Sequence, residues 1–190
     1  MSMTLTYWRK MIKRLRPKWS DEELENVYDH QYNHTQWEDH KDRIKSTVDF
    51  INKFVKGKKF KSIADLSAGD AAIINAVDIP NKIIGDFYPA FEYQGKIEDT
   101  IEKIEPVDVF ILSETLEHVD NPLEVLKQIR NKTKYLIVST PQDNWDDDNQ
   151  EHYWAWDKDG VEQLLNNAGF EAVDYMSEKL WYTHQYWIAK

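Results

Sequence analysis

The chain has 190 residues with 24 basic and 34 acidic side chains, which gives a formal charge of −10 and about one domain of sequence. The absence of cysteine excludes disulfide frameworks, thiolate metal sites and cysteine nucleophiles, so any reactive site must use oxygen or nitrogen atoms. The acidic excess disfavours sequence-independent binding to the phosphate backbone of a nucleic acid. No apolar run is long enough for a membrane span, and the first residues lack the apolar region of a secretion signal, so we expect a soluble, cytoplasmic protein.

Residues 1–58 are predicted to form an N-terminal helical extension, a cap or lid on an α/β core at 59–190. Over 8–19, apolar side chains recur at helical spacing and basic side chains fill the other face, which predicts a basic amphipathic helix. The apolar set is Trp8, Met11, Ile12, Leu15 and Trp19. Such a helix either packs on the core with a solvated basic side, which is the simpler interpretation, or contacts a membrane surface or an anionic substrate.

Two further helices in the extension begin at capping boxes, in which a hydroxyl and a glutamate satisfy free amides, at residues 20–23 and 35–38. The second helix should end at Gly57, which adopts the left-handed conformation at little steric cost. Its apolar face consists of Ile44, Val48, Ile51 and Val55. Another face near its start carries Trp37, His40 and Arg43. These three residues either pack against the core or form a lid over an active site.

From residue 60 onward, short apolar runs rich in β-branched residues alternate with helical segments. The runs span residues 62–66, 82–86, 107–112, 135–140, 171–175 and 185–189. Helices should begin at Pro122 and after Asp157, and Gly169 should end the second one. The alternation predicts an α/β fold with a mostly parallel sheet and helices on both faces. The last two runs predict a hairpin that gives the sheet an antiparallel C-terminal edge strand.

Ligands of such sheets bind beyond the carboxyl ends of the strands. The first of these loops begins at Asp65 and contains Ser67 and Gly69, and this glycine lets the backbone approach a ligand, although any strand-to-helix turn can use one. The second strand ends at Asp86. Its carboxylate can accept hydrogen bonds from both hydroxyls of a ribose, or it can be an ordinary turn residue.

The third loop places Glu114, Glu117 and His118 within one helical turn directly after a strand. His152, in the loop after the next strand, can complete this group from across the cleft, or can pack against its aromatic neighbours. Carboxylates and imidazoles so arranged either hold a divalent cation or serve as acid and base around a substrate proton.

Five segments then form an ordered pattern. They are DLSAGD at 65–70, SETLEHVDNP at 113–122, LIVSTP at 136–141, EH at 151–152 and LLNNAGF at 164–170. Together they resemble the class I S-adenosylmethionine-dependent methyltransferases, in particular the broad group that includes the ubiquinone-pathway O-methyltransferases. The resemblance covers roughly residues 60–190.

The resemblance implies a Rossmann-like, seven-stranded sheet, with S-adenosylmethionine in the first two loops and a methyl acceptor beneath the helical extension. The residues it implies for cofactor binding are Asp65, Ser67, Gly69, Asp86, Ile97, Glu98, Ser113 and Glu114. A second set is similar to the metal site of small-RNA 2′-hydroxyl methyltransferases, where a magnesium ion grips the acceptor hydroxyls. That set is Glu114, Glu117, His118 and His152. In other members of the wider group, the acid and the histidine only brace the loop.

The chain departs from the family pattern in two places. Ser67 and Ala71 stand where the family usually has glycine, so a side chain narrows the space beside the cofactor and penalises a positive φ. Only residues 87–90 separate Asp86 from the next candidate strand at 91–94, which is too short for the crossover helix that parallel neighbours normally need.

The resulting prediction is methyl transfer to an oxygen or nitrogen of a small-molecule acceptor, with His152 or His118 as general base and a divalent cation such as Mg²⁺ as a further cofactor. The acceptor wall is predicted to contain Trp37, Tyr153, Trp154 and Trp156. One alternative is a methyltransferase-like binding module without catalysis, consistent with the altered loop. Another is a metal-assisted RNA 2′-hydroxyl methyltransferase, which the net charge disfavours.

Overall fold

A computed structural model describes residues 11–28, 33 and 38–190. The strands are β1 (Ile12–Arg14), β2 (Ser62–Asp65), β3 (Asn81–Asp86), β4 (Tyr93–Gln94), β5 (Val107–Ser113), β6 (Thr133–Pro141), β7 (Trp154–Trp156), β8 (Ala172–Lys179) and β9 (Thr183–Ala189). The helices are α1 (Asp21–Val27), α2 (Glu38–Val55), α3 (Ala72–Asn75), α4 (Ile97–Thr100), α5 (Pro122–Arg130) and α6 (Lys158–Asn167). Short 3-10 turns lie at Ile101–Lys103 and Leu116–His118.

Within the described residues, seven strands form one sheet in the order β4-β3-β2-β5-β6-β9-β8. The strands from β4 to β6 run parallel, whereas β9 is antiparallel to both β6 and β8. All six apolar runs are strands of this sheet, and the two final runs form the expected antiparallel edge hairpin. The predicted α/β fold class is therefore confirmed. β3, β2 and β5 lie side by side, so the loops at their carboxyl ends share one edge of the sheet.

The core occupies both faces of the sheet, because the central strands are apolar on both sides. On one face, α5 and α6 pack against alternate residues of β5 and β6, with Leu126, Leu165 and Trp187 at the centre. On the other face, α2 and α3 pack through Phe50, Ile51 and similar residues. In the described part of the chain, no helix has the length and apolarity to cross a bilayer.

The N-terminal segment differs from its prediction. Residues 11–19 are not helical: β1 pairs antiparallel with β7, and its centre Lys13 lies opposite Ala155. Residues 8–10, the rest of the predicted basic helix, lie outside the described residues. The segment packs closely on α6, since a Cβ on Gly160 would lie 1.8 Å from the Met11 carbonyl oxygen. We call residues 11–19 the N-terminal strap.

The helices of the extension follow their predictions where the structure describes them. Ser20 caps α1, and its backbone amide bonds the Glu23 carboxylate at 2.7 Å, which completes the first capping box. The second box, at 35–38, and Trp37 fall outside the described residues except for Glu38. α2 buries Ile51 and Val55 on its apolar face, and Gly57 behind it has a φ of 76°. Arg43 is also buried on this helix.

The link between β3 and β4 lacks a helix, as the sequence suggested, although the strand begins at Tyr93 rather than at residue 91. Residues 87–92 form turns and bends with no helix, and β4 pairs with β3 only at Gly85–Tyr93 and Asp86–Gln94. A Cβ on Gly85 would lie 2.6 Å from the Tyr93 carbonyl oxygen, so glycine is required for this close approach. Phe87, at the start of this link, lines the cleft described next.

Candidate functional site

A cleft of about 800 Å³ opens beyond the carboxyl ends of the strands, a size typical of small-molecule sites. All eight residues that the sequence assigned to the cofactor line it. They are Asp65, Ser67, Gly69, Asp86, Ile97, Glu98, Ser113 and Glu114. His118 and His152 line the same cleft. The extension contributes Lys18, Leu24, Tyr28, His40 and Arg43 to its walls.

Gly69 and Asp86 are in direct contact. The Gly69 amide donates to Asp86 Oδ2 at 2.7 Å, and the Tyr88 amide donates to Asp86 Oδ1 at 3.2 Å. Gly69 has a φ of 58°, which a Cβ would penalise. A carboxylate offers about four acceptor positions, which is more than these two amide bonds use. The two loops therefore converge on a carboxylate that still faces the cleft.

The first loop is fixed by its own buried acid. Asp65 is 2% exposed, and its Oδ1 accepts from the Ser67 amide at 3.1 Å. Burial, with a contribution from Asp86, raises the pKa of Asp65 to about 7, although the Ser67 amide opposes the shift. Ser67 Oγ lies 2.8 Å from Thr115 Oγ1 and so joins the first loop to the third.

The two departures from the glycine pattern have different outcomes. Ala71 has a φ of 60°, so it bears the left-handed strain that its Cβ predicts. Ser67 does not have a positive φ, so the backbone penalty expected at this position is absent. Its side chain instead takes part in the hydrogen bond to Thr115.

The aromatic wall of the cleft differs from its prediction. Tyr153 and Trp156 are 2% and 1% exposed and, with Trp154, lie outside the cleft lining. The Trp156 indole donates to Thr140 Oγ1 and the Trp154 indole to the Val119 carbonyl oxygen, so both have structural partners. The aromatic residues that do line the cleft are Tyr28, Phe87, Trp181 and Tyr182. Trp37, also predicted for this wall, lies outside the described residues.

Three of the four predicted metal ligands come together. Glu117, His118 and His152 each offer one ligand atom within 4.8 Å of the others. Glu117 Oε1 and His118 Nδ1 are buried and have no hydrogen-bond partner in the described structure. The rings of His118 and His152 meet edge to face at 4.7 Å. Buried polar atoms without partners are costly, so this cluster is suited to binding a further group.

Burial shifts the pKa of each residue in this cluster. Burial and the neighbouring Glu114 raise the pKa of Glu117, so its carboxyl group tends to hold a proton unless a cation lies nearby. Burial and His152 lower the pKa of His118 to about 3, which keeps its imidazole neutral. Burial alone would lower the pKa of His152, but the hydrogen bond to Asp147 and the negative charges of Asp147 and Glu114 raise it.

Glu114 does not join this cluster. Its backbone has a φ of 50°, and its Oε1 accepts from Ser139 Oγ at 3.0 Å. Its Oε2 lies 3.4 Å from Nε2 of the fully buried His184. Burial alone would raise the pKa of Glu114, but the charges of His184 and Arg43 lower it. Glu114 is therefore an anion paired within the cleft wall.

The sequence analysis did not identify His184 as the partner of Glu114. For Arg43 it left two alternatives open, which were packing against the core and a lid over the site. Arg43 is 5% exposed, lines the cleft, and donates from Nη1 to Ser113 Oγ at 3.5 Å. Burying a guanidinium without a partner costs free energy. An arginine on the inner face of a helix is therefore the signal that could have identified Arg43 as a site residue. For His184, which lies opposite Pro141 on the edge hairpin, no local pattern was available.

The residues present fit both groups that the resemblance implies. Asp86 provides hydroxyl acceptors and Arg43 a buried cation, which match the ribose and the amino-acid end of S-adenosylmethionine. Glu117, His118 and His152 provide one oxygen and two nitrogen donors, a set that suits a borderline divalent cation. The unpartnered Glu117 Oε1 and His118 Nδ1 supply the free ligand atoms.

Solved structures share this fold. Magnesium protoporphyrin IX methyltransferase from Synechocystis, solved with bound S-adenosylhomocysteine, superimposes with a TM-score of 0.62 at 13% identity, over 88% of this chain and 92% of that one. A methyltransferase from Leishmania major gives 0.59 at 12% identity, over 78% and 74%. The small RNA methyltransferase HEN1 gives 0.64 at 15% identity, over 85% of this chain but 26% of that one. At these identities the similarity shows the fold alone.

The sequence comparisons agree with the structural ones. The profile of a methyltransferase domain family matches residues 8–175, which include the strap, most of the helical extension and the chain from β2 to the middle of β8. A search of curated protein sequences found no relative. The chain belongs to this methyltransferase domain family, and its assignment to the class I S-adenosylmethionine-dependent methyltransferases is confirmed.

Proposed function

We propose that the protein transfers the methyl group of S-adenosylmethionine to an oxygen, or else a nitrogen, of a small-molecule acceptor. One observation carries the proposal: the same cleft contains the Gly69–Asp86 contact and the side chains of His118 and His152. Direct transfer requires a nucleoside-binding end and a proton-accepting end at close range, so that two bound molecules react without diffusing apart.

The cofactor-binding residues would act along the edge of the sheet. S-adenosylmethionine, when bound, supplies a methyl group already activated on a sulfonium. Asp86 would accept from the ribose hydroxyls, and Ile97 and Glu98 would lie against the adenine. β3 and β5 are two strand spacings apart, about 10 Å. An extended cofactor held at Asp86 would thus bring its amino-acid end to β5, where Ser113, Glu114 and Arg43 lie.

The residues at the methyl-acceptor end of the cleft would remove the proton of the acceptor hydroxyl. His152 Nδ1 lies 2.6 Å from Asp147 Oδ2, so a proton on Nδ1 leaves Nε2 free to accept the proton of an acceptor hydroxyl. This arrangement of base and orienting carboxylate is typical of histidine general bases. If Glu117, His118 and His152 instead hold a divalent cation, Nε2 of His152 would be a ligand rather than the base, and the cation would lower the pKa of the acceptor hydroxyl.

The extension would act as a cap on the core at 59–190. Tyr28 supports this role because it reaches both ends of the cleft: its ring lies 5.8 Å from that of Phe87, and its hydroxyl donates to Glu151 Oε2 at 2.7 Å. Desolvation raises the pKa of Tyr28, so the hydroxyl remains a donor. A cap that touches the adenine side and the acceptor loop would exclude water from both.

Formation of S-adenosylhomocysteine by the purified protein tests the proposal. The reaction is offered catechol, an aliphatic vicinal diol, a primary amine or a single-stranded RNA, each with Mg²⁺ and with EDTA. We expect product with a small hydroxyl compound, and a loss of at least tenfold on chelation. No product from any acceptor, together with tight cofactor binding, would contradict the transferase and favour a binding module that has lost catalysis.

The reaction with single-stranded RNA tests a second candidate function, methylation of an RNA 2′-hydroxyl. Glu117, His118 and His152 favour it, because they match part of the metal set that small-RNA methyltransferases use. The acidic lining of the cleft disfavours an RNA substrate, because Asp146, Asp148 and Glu151 would repel its phosphates. If RNA is methylated and the small acceptors are not, and the rate falls steeply as the salt concentration rises, the RNA function would replace the small-molecule proposal.

A further inference from the structure

We propose that Arg16, on the N-terminal strap, is a positioning residue that holds His152 in place through Asp147. The inference rests on the proposed role of His152 as a base or metal ligand. It assigns a role in the site to a residue that lies outside the cleft lining.

Asp147 is the link between Arg16 and the histidine. Its side chain is 6% exposed, and its Oδ2 contacts His152 Nδ1 at 2.6 Å and accepts from Asn144 Nδ2 at 2.6 Å. Its Oδ1 accepts from the Asn149 amide at 2.9 Å. The carboxylate is therefore fixed by its own loop, and the orientation of the His152 ring follows the position of residue 147.

Arg16 fixes that position from outside the loop. Its Nη2 donates to the backbone oxygen of Asp147, between residues 131 positions apart in the chain. Its other terminal nitrogen, Nη1, is buried and has no hydrogen-bond partner in the described structure. A simple tether would not need a partly buried guanidinium with one buried nitrogen left unpaired. The charge beside Asp147 instead favours the anionic carboxylate that His152 contacts.

The strap is held rigidly enough to position a side chain. The Leu15 amide donates to the Tyr153 carbonyl oxygen at 2.8 Å, directly beside His152 in the sequence. Arg14 bonds the Asp120 carboxylate at 2.7 Å and lies over the Trp154 ring at 4.7 Å. Gly160 allows the Met11 backbone to approach α6. The Trp19 amide donates to the Tyr153 hydroxyl at 3.0 Å, so Arg16 projects from a backbone held on both sides of it.

Lys13 offers a matched control. It lies on the same strap, is exposed, and donates from Nζ to the Trp145 carbonyl oxygen at 2.9 Å, so it tethers the same loop without touching Asp147. A purely structural effect of the strap should appear in both Arg16→Met and Lys13→Met. A positioning effect should appear in Arg16→Met alone, and Arg16→Lys should restore part of it because the charge is kept.

The test uses the full chain with ¹⁵N-labelled histidine and two measurements. The His152 side-chain nitrogen resonances report its hydrogen bond to Asp147, and Mn²⁺ titration by electron paramagnetic resonance reports the metal site. For Arg16→Met we expect shifted His152 resonances and Mn²⁺ affinity about tenfold or more weaker, the usual cost of losing support behind a ligand. S-adenosylhomocysteine affinity should stay within twofold of wild type, and Lys13→Met should match wild type throughout.

Identical His152 resonances in Arg16→Met and Lys13→Met would overturn the inference, whether or not Mn²⁺ binds. If the wild type binds no Mn²⁺, the cation proposal fails, and the resonances still decide the role of Arg16. Should Arg16→Met not fold, Gly160→Ala provides the test, because its Cβ displaces the strap at Met11 and leaves every cleft residue unchanged. Trypsin cleavage after Lys13 and Arg14 would report the displacement, since Pro17 blocks cleavage after Arg16. Unchanged His152 resonances in a displaced strap would also overturn the inference.

Discussion

Replacing His152 by alanine should reduce methyl transfer by about 100- to 10,000-fold, the range that a positioned acid–base group contributes. The imidazole ring lines the cleft, and its Nδ1 pairs with Asp147 Oδ2 at 2.6 Å. Its removal deletes the proton acceptor or, where a cation is bound, one nitrogen ligand of the Glu117–His118–His152 cluster. S-adenosylhomocysteine affinity should remain within about twofold, because His152 lies with the acceptor loop rather than with the Gly69 and Asp86 loops.

The control for this prediction is Gln150→Ala. Gln150 is exposed, lies two residues away on the same loop, and bonds only the Asp148 carbonyl oxygen, at 2.8 Å, among its described contacts. We expect it to keep wild-type turnover, which separates the loss of the imidazole from a general disturbance of the loop. A His152→Ala enzyme with turnover close to that of Gln150→Ala would remove His152 from the mechanism.

The second large effect concerns the two ends of the cofactor. Asp86→Ala should weaken S-adenosylhomocysteine binding by about 1–3 kcal/mol, or about 5- to 150-fold, because ribose hydroxyls lose their acceptor. It should weaken 5′-methylthioadenosine equally, since that compound keeps the ribose but lacks the amino-acid end. Arg43→Met should weaken S-adenosylhomocysteine by about 10-fold or more and leave 5′-methylthioadenosine almost unchanged, because only the former has a carboxylate.

Calorimetric titration of both ligands into both variants measures this difference. Asn52→Ala is a suitable control on the same helix as Arg43, because it bonds only the Ala76 carbonyl oxygen, at 3.4 Å, among its described contacts and lies outside the cleft lining. Equal losses for the two ligands in Arg43→Met would contradict the assignment of its guanidinium to the amino-acid end. An Asp86→Ala variant with wild-type affinity would remove the ribose contact.

The sheet could be predicted from the sequence because its signal is local. Each strand from β5 to β9 that lies in the sheet is an apolar run bounded by turn residues, and Pro122, Asp157 and Gly169 mark helix ends by their own chemistry. β1 could not be predicted in this way. Met11, Ile12 and Leu15 fit a helical face equally well, and only pairing with β7, about 140 residues away, selects the strand.

The site was predictable to the extent that sheet topology determines it. Asp65, Gly69, Asp86 and Ser113 each end a strand or follow one, so a parallel sheet brings them to the same edge. The aromatic residues that line the cleft could not be predicted, because the aromatic residues next to His152 in the sequence do not line it. β7 and its partners direct Tyr153 and Trp156 into the interior, whereas Tyr28 and Trp181 reach the cleft from distant segments.

The central claim is that the Gly69 turn and the Asp86 carboxylate together bind an adenosine group. Calorimetric titration of S-adenosylhomocysteine into the wild-type chain tests it most directly. The structure predicts saturable heat with one ligand per chain, and competition by 5′-methylthioadenosine for the same site. No heat at millimolar ligand would contradict the claim.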